Sequence, residues 1–197
     1  MSAVPQSQQR RDVRHAAGPC PIIETARLRL RPHGLEDSGA IAEAFRDFGI
    51  TRMLRRVPMP YDRQDALEWL LPRVAAVLPD WAFAVTLPDG RYIGAVALEF
   101  RQGVWYLGYW LSREHWGRGL MTEAVMAAVG RFLRQMPGIP LHSGFFADNR
   151  ASLRVQKKLG FHLTGCSDVY STARQAMVLH IDTVLEAADF RMTVNQP

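Results

Sequence analysis

Residues 109–124 read Y-W-L-S-R-E-H-W-G-R-G-L-M-T-E-A, and the reading of this stretch decides the fold. Its first residues close a run rich in Trp and Tyr, 104–111, which suits a strand. Its last residues open a run in which Leu120, Ala124, Val125, Ala128, Val129, Phe132 and Leu133 recur at helical spacing. At the joint stand Gly117, Arg118 and Gly119. Glycine has no Cβ, so backbone amides there can approach a ligand closely. A helix starting near Arg118 aims its free N–H groups and the positive end of its dipole back at the loop. Such a loop can cradle a pyrophosphate, although an ordinary strand-to-helix turn would use the same glycines.

Downstream, Pro137-Gly138 stops the helix, and residues 140–146 have the length and apolar content of a buried strand. Asp148-Asn149 opens a second helix over 150–159, which Gly160 closes. Residues 161–169 and 177–185 read as two final strands. Upstream, residues 27–31 alternate arginine and leucine, the period of a strand with Leu28 and Leu30 inward. A helix begins at Leu35-Glu36-Asp37, carries Ile41, Ala44, Phe45 and Phe48 on its apolar face, and ends at Gly49. Asp62 caps a further helix with Ala66, Trp69, Leu70, Val74 and Val77 inward, which Pro72 should kink or split. Residues 81–87 and 91–100 form a hairpin about Pro88-Asp89-Gly90.

The 197 residues suffice for one domain with a full core. We expect a basic, mobile tail over 1–22, a folded domain over 23–190 and a short tail over 191–197. Arg10, Arg11 and Arg14 of the first tail could touch nucleic acid or a ribosome, or simply be solvated. A net charge of +5 favours acidic partners, phosphorylated cofactors among them. Cys20 and Cys166 have no metal-ligand spacing and no disulfide framework, so a reducing cytoplasm and no metal are expected. No apolar run approaches the length that crosses a bilayer, and no aromatic-and-basic stripe marks a nucleic-acid surface.

This order of elements resembles the GNAT superfamily of acyl-CoA-dependent N-acetyltransferases, and within it the branch of the RimJ and RimL ribosomal-protein acetyltransferases. The likeness rests on residues 25–31 (T-A-R-L-R-L-R), 108–111 (G-Y-W-L), 116–124 (W-G-R-G-L-M-T-E-A), 149–152 (N-R-A-S) and 158–161 (K-L-G-F). It implies a mixed α/β (α+β) fold, with a mostly antiparallel central sheet of about seven strands and about four helices, splayed where acetyl-CoA binds. It also implies that Trp116, Gly117, Arg118, Gly119, Leu120, Met121 and Thr122 hold the CoA pyrophosphate. Tyr109, Trp110 and Leu111 would pair with the pantetheine arm as an added strand does. Asn149 would serve beside that arm or as a helix cap, and Ser152 would protonate the departing thiolate or lie on the helix surface. The family pattern ends in Gly or Ala where this chain has Met121, whose side chain would either crowd the phosphates or pack into the core.

Acetylation of an amine needs a base for the amine's proton and an acid for the thiolate. Glu99, at the end of a hairpin strand facing the cleft in this family, leads as the base, with an exposed strand-end acid as the alternative. His142 and His115 rank below it, and Tyr170 could replace Ser152 as the acid. Glu123, in a first helical turn, reads first as a dipole-stabilised cap and second as an acid near the site. Cys166 reads as a packed thiol. The resemblance therefore implies direct transfer from acetyl-CoA to a primary amine, whether a protein N-terminus such as a ribosomal protein's, an aminoglycoside or a small amine. A noncatalytic CoA-sensing or ribosome-associated module is the rival, and a homodimer remains open. Arg52, Arg55, Arg56 and Arg174 suggest an acceptor cleft that favours an anionic group near the amine.

Overall fold

The computed structural model describes residues 17–191. Its elements run β1 (Ile23–Glu24), β2 (Arg29–Pro32), α1 (Ser38–Phe45), α2 (Phe48–Thr51), α3 (Arg63–Val74), β3 (Trp81–Thr86), β4 (Tyr92–Arg101), β5 (Val104–Leu111), α4 (Leu120–Gln135), β6 (Leu141–Phe146), α5 (Arg150–Leu159), β7 (His162–Ser171) and β8 (Ala176–Leu185). Among the described residues the eight strands form one sheet, ordered β1-β2-β3-β4-β5-β6-β8-β7. Every neighbouring pair is antiparallel except β5 and β6. The expected mixed, mostly antiparallel architecture is what forms.

Two small elements exceed the expected count, and both have local causes. The two-residue β1 pairs with β2 because the T-A-R-L segment turns tightly: Thr25 N donates to the Leu28 carbonyl at 2.9 Å and Leu28 N to the Thr25 hydroxyl at 3.0 Å. The strand therefore starts at Arg29, with Leu28 and Leu30 buried as expected. The additional helical turn α2 follows from Asp47, whose carboxylate accepts from Gly49 N at 2.7 Å and caps a fresh turn. Gly49 thus lies inside a helix instead of ending one, and Phe48 swings out to 46% exposure. Asp62 caps α3 through Gln64 N and Asp65 N. Pro72 does not split that helix: it sits in the last turn, where the N–H it lacks costs a single hydrogen bond.

Alternation along the strands divides the core in two. On one face, α4 and α5 bury Ala124, Ala128, Val129, Phe132 and Leu159 against Trp81, Phe83, Val96, Leu98 and Trp105. Phe132 meets Trp81 and Trp105 with ring centroids 5.8 and 4.9 Å away. On the other, Ile41 and Phe45 of α1 and Ala66 and Leu70 of α3 gather around Tyr92 and Trp110. Residues 17–22, assigned from sequence to the tail, pack on this body. Ala17 is buried in the larger core, Trp81 Nε1 donates to the Gly18 carbonyl at 2.9 Å, and burial pushes the Cys20 thiol up to about 12. The tail's arginines, Arg10, Arg11 and Arg14, lie outside the described residues, as does the end of the chain beyond Arg191.

The sheet opens at its one parallel joint. β5 and β6 pair only at Trp105 with Leu141 and Tyr106 with His142. Beyond that point a buried relay of side chains stands between the strands: Thr183 Oγ1 donates to Gln156 Oε1 (2.7 Å), Gln156 Nε2 to Ser143 Oγ (3.0 Å), and Ser143 Oγ to the Leu107 carbonyl (2.9 Å). The relay satisfies the first backbone group that the interrupted ladder leaves open. Gln156→Leu strips a partner from two buried hydroxyls and is expected to cost about 1–3 kcal/mol by urea denaturation. Adding Thr183→Val should return part of that loss, because it removes the stranded donor.

Candidate active site

Where β5 and β6 diverge, a cavity of about 580 Å³ runs through the sheet. Strand alternation turns the backbone of Leu107, Tyr109 and Leu111 toward the gap. Leu107 and Leu111 spend their carbonyls on Ser143 Oγ and on Trp116 Nε1 (2.7 Å), which leaves the Tyr109 peptide facing the cavity. Tyr109, Trp110 and Leu111 all line it.

At one end lies the glycine loop. Gly117 and Gly119 adopt left-handed φ values of 76° and 74°. A Cβ on Gly117 would meet nothing within 4 Å, and one on Gly119 only Arg27 Nη2 at 3.7 Å, so the cradle is open above both. Gly119 is the N-cap of the 16-residue α4, whose first free N–H groups point the same way. Trp116, Gly117, Gly119, Leu120, Met121 and Thr122 line the cavity. Arg118 contributes backbone instead: its carbonyl accepts from Arg27 Nη1 at 3.0 Å. Arg27 is itself clamped on Glu123, which accepts from Arg27 N, Arg27 Nε and Thr25 Oγ1. Burial of the Glu123 carboxyl would raise its pKa, yet these hydrogen bonds and the Arg27 charge outweigh it and hold the group below its ordinary range. The structural reading of Glu123 is the one the geometry fits. Met121 resolves toward packing, since its side chain lies against the larger core.

In the gap stand the residues of α5. Asn149 Oδ1 accepts from Ser152 N at 3.0 Å and caps the helix. Ser152 is buried rather than on the helix surface, and its Oγ lies 2.7 Å from the Tyr109 hydroxyl. Burial pushes the Tyr109 phenol up to about 12, against the opposing hydrogen bonds of Ser152 and Gln156, so it stays protonated beside Ser152. Arg150, Arg154 and Lys158 bring positive charge to the cavity wall.

The remaining candidates fall elsewhere. Glu99 is buried and not on the cavity wall; Arg73 Nη2 (2.6 Å), Arg56 Nη2 (3.4 Å) and Arg101 Nη2 all bind its carboxylate. A carboxylate engaged by three guanidinium groups is an ion-pair hub, not a free base. His142 packs against Tyr106 with the rings tilted and their centroids 5.6 Å apart, away from the cavity wall. His115 is buried and lines the cavity beside the glycine loop, 3.1 Å from the exposed Glu114 carboxylate. Tyr170 is 53% exposed and Cys166 is exposed, on β7, the outer strand of the sheet. The arginines expected at the acceptor side split up: Arg52 and Arg174 share Asp148 at 2.6 and 3.0 Å, while Arg55 lines the cavity. Sequence reading passed over His180, which also lines the cavity and whose Nδ1 lies 3.0 Å from Asp182 Oδ1. The i, i+2 spacing of those two residues on a strand was the available signal. Among the described residues no cluster could hold a metal ion, and no helix is long and apolar enough to cross a membrane.

Residues 27–162, which carry the splayed joint and the glycine-capped helix, match the family model described as the acetyltransferase (GNAT) domain. The chain belongs to the GNAT acetyltransferase family. An 84-residue stretch is 36% identical to the probable N-acetyltransferase YjcK of Bacillus subtilis (strain 168), covering 41% of this chain. The match spans 46% of that relative, about half its length. Among solved structures, the ribosomal-protein-S5-alanine acetyltransferase from Vibrio fischeri superposes with a TM-score of 0.72 at 22% identity, covering 87% of this chain and 99% of that one. Mycobacterium smegmatis RimJ, in complex with CoA-disulfide, gives 0.68 at 17% identity, covering 86% and 84%. At these identities the two structures establish the shared GNAT fold.

Two substitutions test the division between cradle and hub. Gly119→Asp puts a charge and a side chain where anion binding is expected, and should abolish the thermal shift that acetyl-CoA gives the unaltered protein. Glu99→Gln leaves three arginines facing one another and should destabilise the fold by about 3 kcal/mol in urea while that thermal shift persists.

Proposed function

We propose that this GNAT chain is an acetyl-CoA-dependent N-acetyltransferase, moving the acetyl group by direct attack of a primary amine on the thioester. The observation that carries the reading is the continuity of one cavity, from the Gly117–Gly119 cradle along the Tyr109 backbone to the Ser152 hydroxyl. Each part has a use on the same extended ligand. The loop amides and the end of α4 suit a pyrophosphate, and Arg150, Arg154 and Lys158 add charge for its phosphates. The Tyr109 peptide suits an amide-bearing arm laid in as a short strand, with Asn149 holding the turn at its side.

Ser152 is the acid in this reading. It is buried, its backbone is fixed by Asn149, and the protonated Tyr109 phenol can resupply its proton across 2.7 Å. When bound, acetyl-CoA supplies the acyl group and a thiolate leaving group; the chain supplies orientation, exclusion of water and this proton. The acceptor class, protein N-terminus, aminoglycoside or small amine, belongs to the same proposal. The acceptor side is framed by residues 52–57 and by the β7–β8 turn, where Thr172 N donates to the Arg55 carbonyl at 3.1 Å and Arg174 Nε to the Arg52 carbonyl at 2.7 Å. Arg55 of that frame lines the cavity, which suits an acceptor bearing an anionic group.

CoA release should be followed with serine- and alanine-initiated peptides, kanamycin and spermidine. Turnover with at least one is the expected result. A thermal shift with acetyl-CoA and no turnover on any amine would leave a CoA-binding module, and no thermal shift would remove the cofactor reading itself. Ser152→Ala should lower kcat by about 100-fold with little change in KM for acetyl-CoA.

A further inference from the structure

Acyl transfer to an amine also needs a group that takes the amine's proton, and neither Glu99 nor His142 lies on the cavity wall. We propose that His180 is the general base of this site and that Asp182 is its positioning residue. The inference rests on the acetyltransferase reading above and adds to it the group on the acceptor's side.

Four observations place it. His180 lines the same cavity as Ser152 and the glycine loop. It stands on β8 directly opposite Phe146 of β6, and its ring meets the Phe146 ring edge-on at 5.8 Å. Two residues back along β6, on the same face of the strand, is Gly144, where a Cβ would collide with His180 Cε1 and approach Nε2 within 2.8 Å. The missing side chain is what lets the imidazole lie down against β6, at the margin of the gap. Finally, Asp182, two residues along the same strand, presents Oδ1 3.0 Å from His180 Nδ1. A carboxylate in that position fixes the tautomer with the proton on Nδ1 and leaves the lone pair on Nε2. A base oriented by a third group is the arrangement that activates nucleophiles in general.

The two faces of the sheet then divide the chemistry. Thr183, the residue after Asp182 in the chain, points to Gln156 of α5, so Asp182, and His180 two residues before it, point to the opposite face. Ser152 belongs to the α5 face and His180 to the other, with the open joint between them. An amine entering past His180 attacks the carbonyl carbon in the gap. The C–N bond forms, the C–S bond breaks, the amine's proton passes to His180 Nε2, and the sulfur's electron pair takes the proton of Ser152 Oγ. The serine regains its proton through Tyr109 and solvent, and the imidazolium returns its own to solvent, which balances the reaction.

The cross-strand neighbour of the imidazole on β7 is the uncharged Ser167. Arg174 lies over the Phe146 ring at 4.8 Å with its guanidinium paired to Asp148, and Arg55 and Asp148 line the same cavity. On the cavity's far wall stand Arg150, Arg154 and Lys158. Asp182 is the acid in contact with the ring.

The test uses the full chain, with acetyl-CoA and whichever of the serine-initiated peptide, alanine-initiated peptide, kanamycin or spermidine the unaltered protein acetylates. His180→Gln should lower kcat by about 100-fold at pH 7.5 and abolish the acidic limb of the kcat/KM pH profile, while the acetyl-CoA thermal shift is retained. Asp182→Asn, an isosteric change at a half-exposed position, removes the carboxylate charge beside the imidazolium. It should therefore move the acidic limb to lower pH and reduce kcat, a displacement that a purely structural role would not produce. Unchanged kcat and pH profile in His180→Gln overturn the assignment of the base while leaving acetyl transfer standing. A shift in His180→Gln with no displacement in Asp182→Asn overturns the role of Asp182 alone. Absence of turnover by the unaltered protein on every amine overturns acetyl transfer, and the base with it.

Discussion

A parallel strand pair that stops after two residues is the constraint from which the rest of this structure follows. Backbone groups taken out of a ladder and away from water must find other partners, at a cost of a few kcal/mol each if they do not. Here the first open carbonyl, that of Leu107, is met by the relay from Thr183 through Gln156 and Ser143. The last, that of Leu111, is met by the Trp116 indole. Between those two fixed points the Tyr109 peptide faces a cavity, and a polar, strand-like ligand is the partner that such an edge calls for. The same relay keeps the strands apart, so the gap is built into the fold.

The second dependence runs through Arg27. The T-A-R-L turn that starts the sheet carries an arginine whose guanidinium joins the Glu123 carboxylate to the Arg118 carbonyl. That single side chain ties β2, the glycine loop and the first turn of α4 together, which holds two left-handed glycines in place. A loop of two glycines around one arginine would otherwise spend considerable backbone entropy on ordering. The clamp explains in physical terms why T-A-R-L and W-G-R-G, about ninety residues apart, belong to one motif.

Much of the fold was legible in the residues. Periodicity located β3 to β8, α4 and α5 to within about two residues, whereas α3 ends at Val74 and leaves Val74 and Val77, read as inward, exposed; Gly119, Gly160, Asn149 and Asp62 marked helix ends whose caps are present as read. What escaped were features made by one side chain acting on a short segment: Asp47 starting a new turn at Phe48, and the Thr25 hydroxyl shortening the first strand. Periodicity averages over a window longer than such elements, so it smooths them away. The cofactor half of the site was legible for a related reason, since backbone amides at glycines and a helix end leave a local signature. Residues that act through partners distant in sequence leave none. Glu99 read as a base because it ends a hairpin strand that faces the cleft in the resembled family, whereas Arg56 and Arg73, brought in from loop and helix, make it an ion-pair centre.

The sequence by itself determined the cradle, the order of elements and the family to which the chain belongs, because each depends on local backbone conformation or on a periodic pattern. Tertiary structure alone decided which side chains share the cavity. It buried Ser152 against Tyr109, drew Glu99 into its arginines, left Tyr170 on an open edge and set His180 over Gly144 beside Asp182. The physical reason is that a strand's side-chain direction is fixed by its register and by what covers each face, and the partners come from far along the chain, 43 positions for Ser152 and Tyr109 and 26 for Glu99 and Arg73.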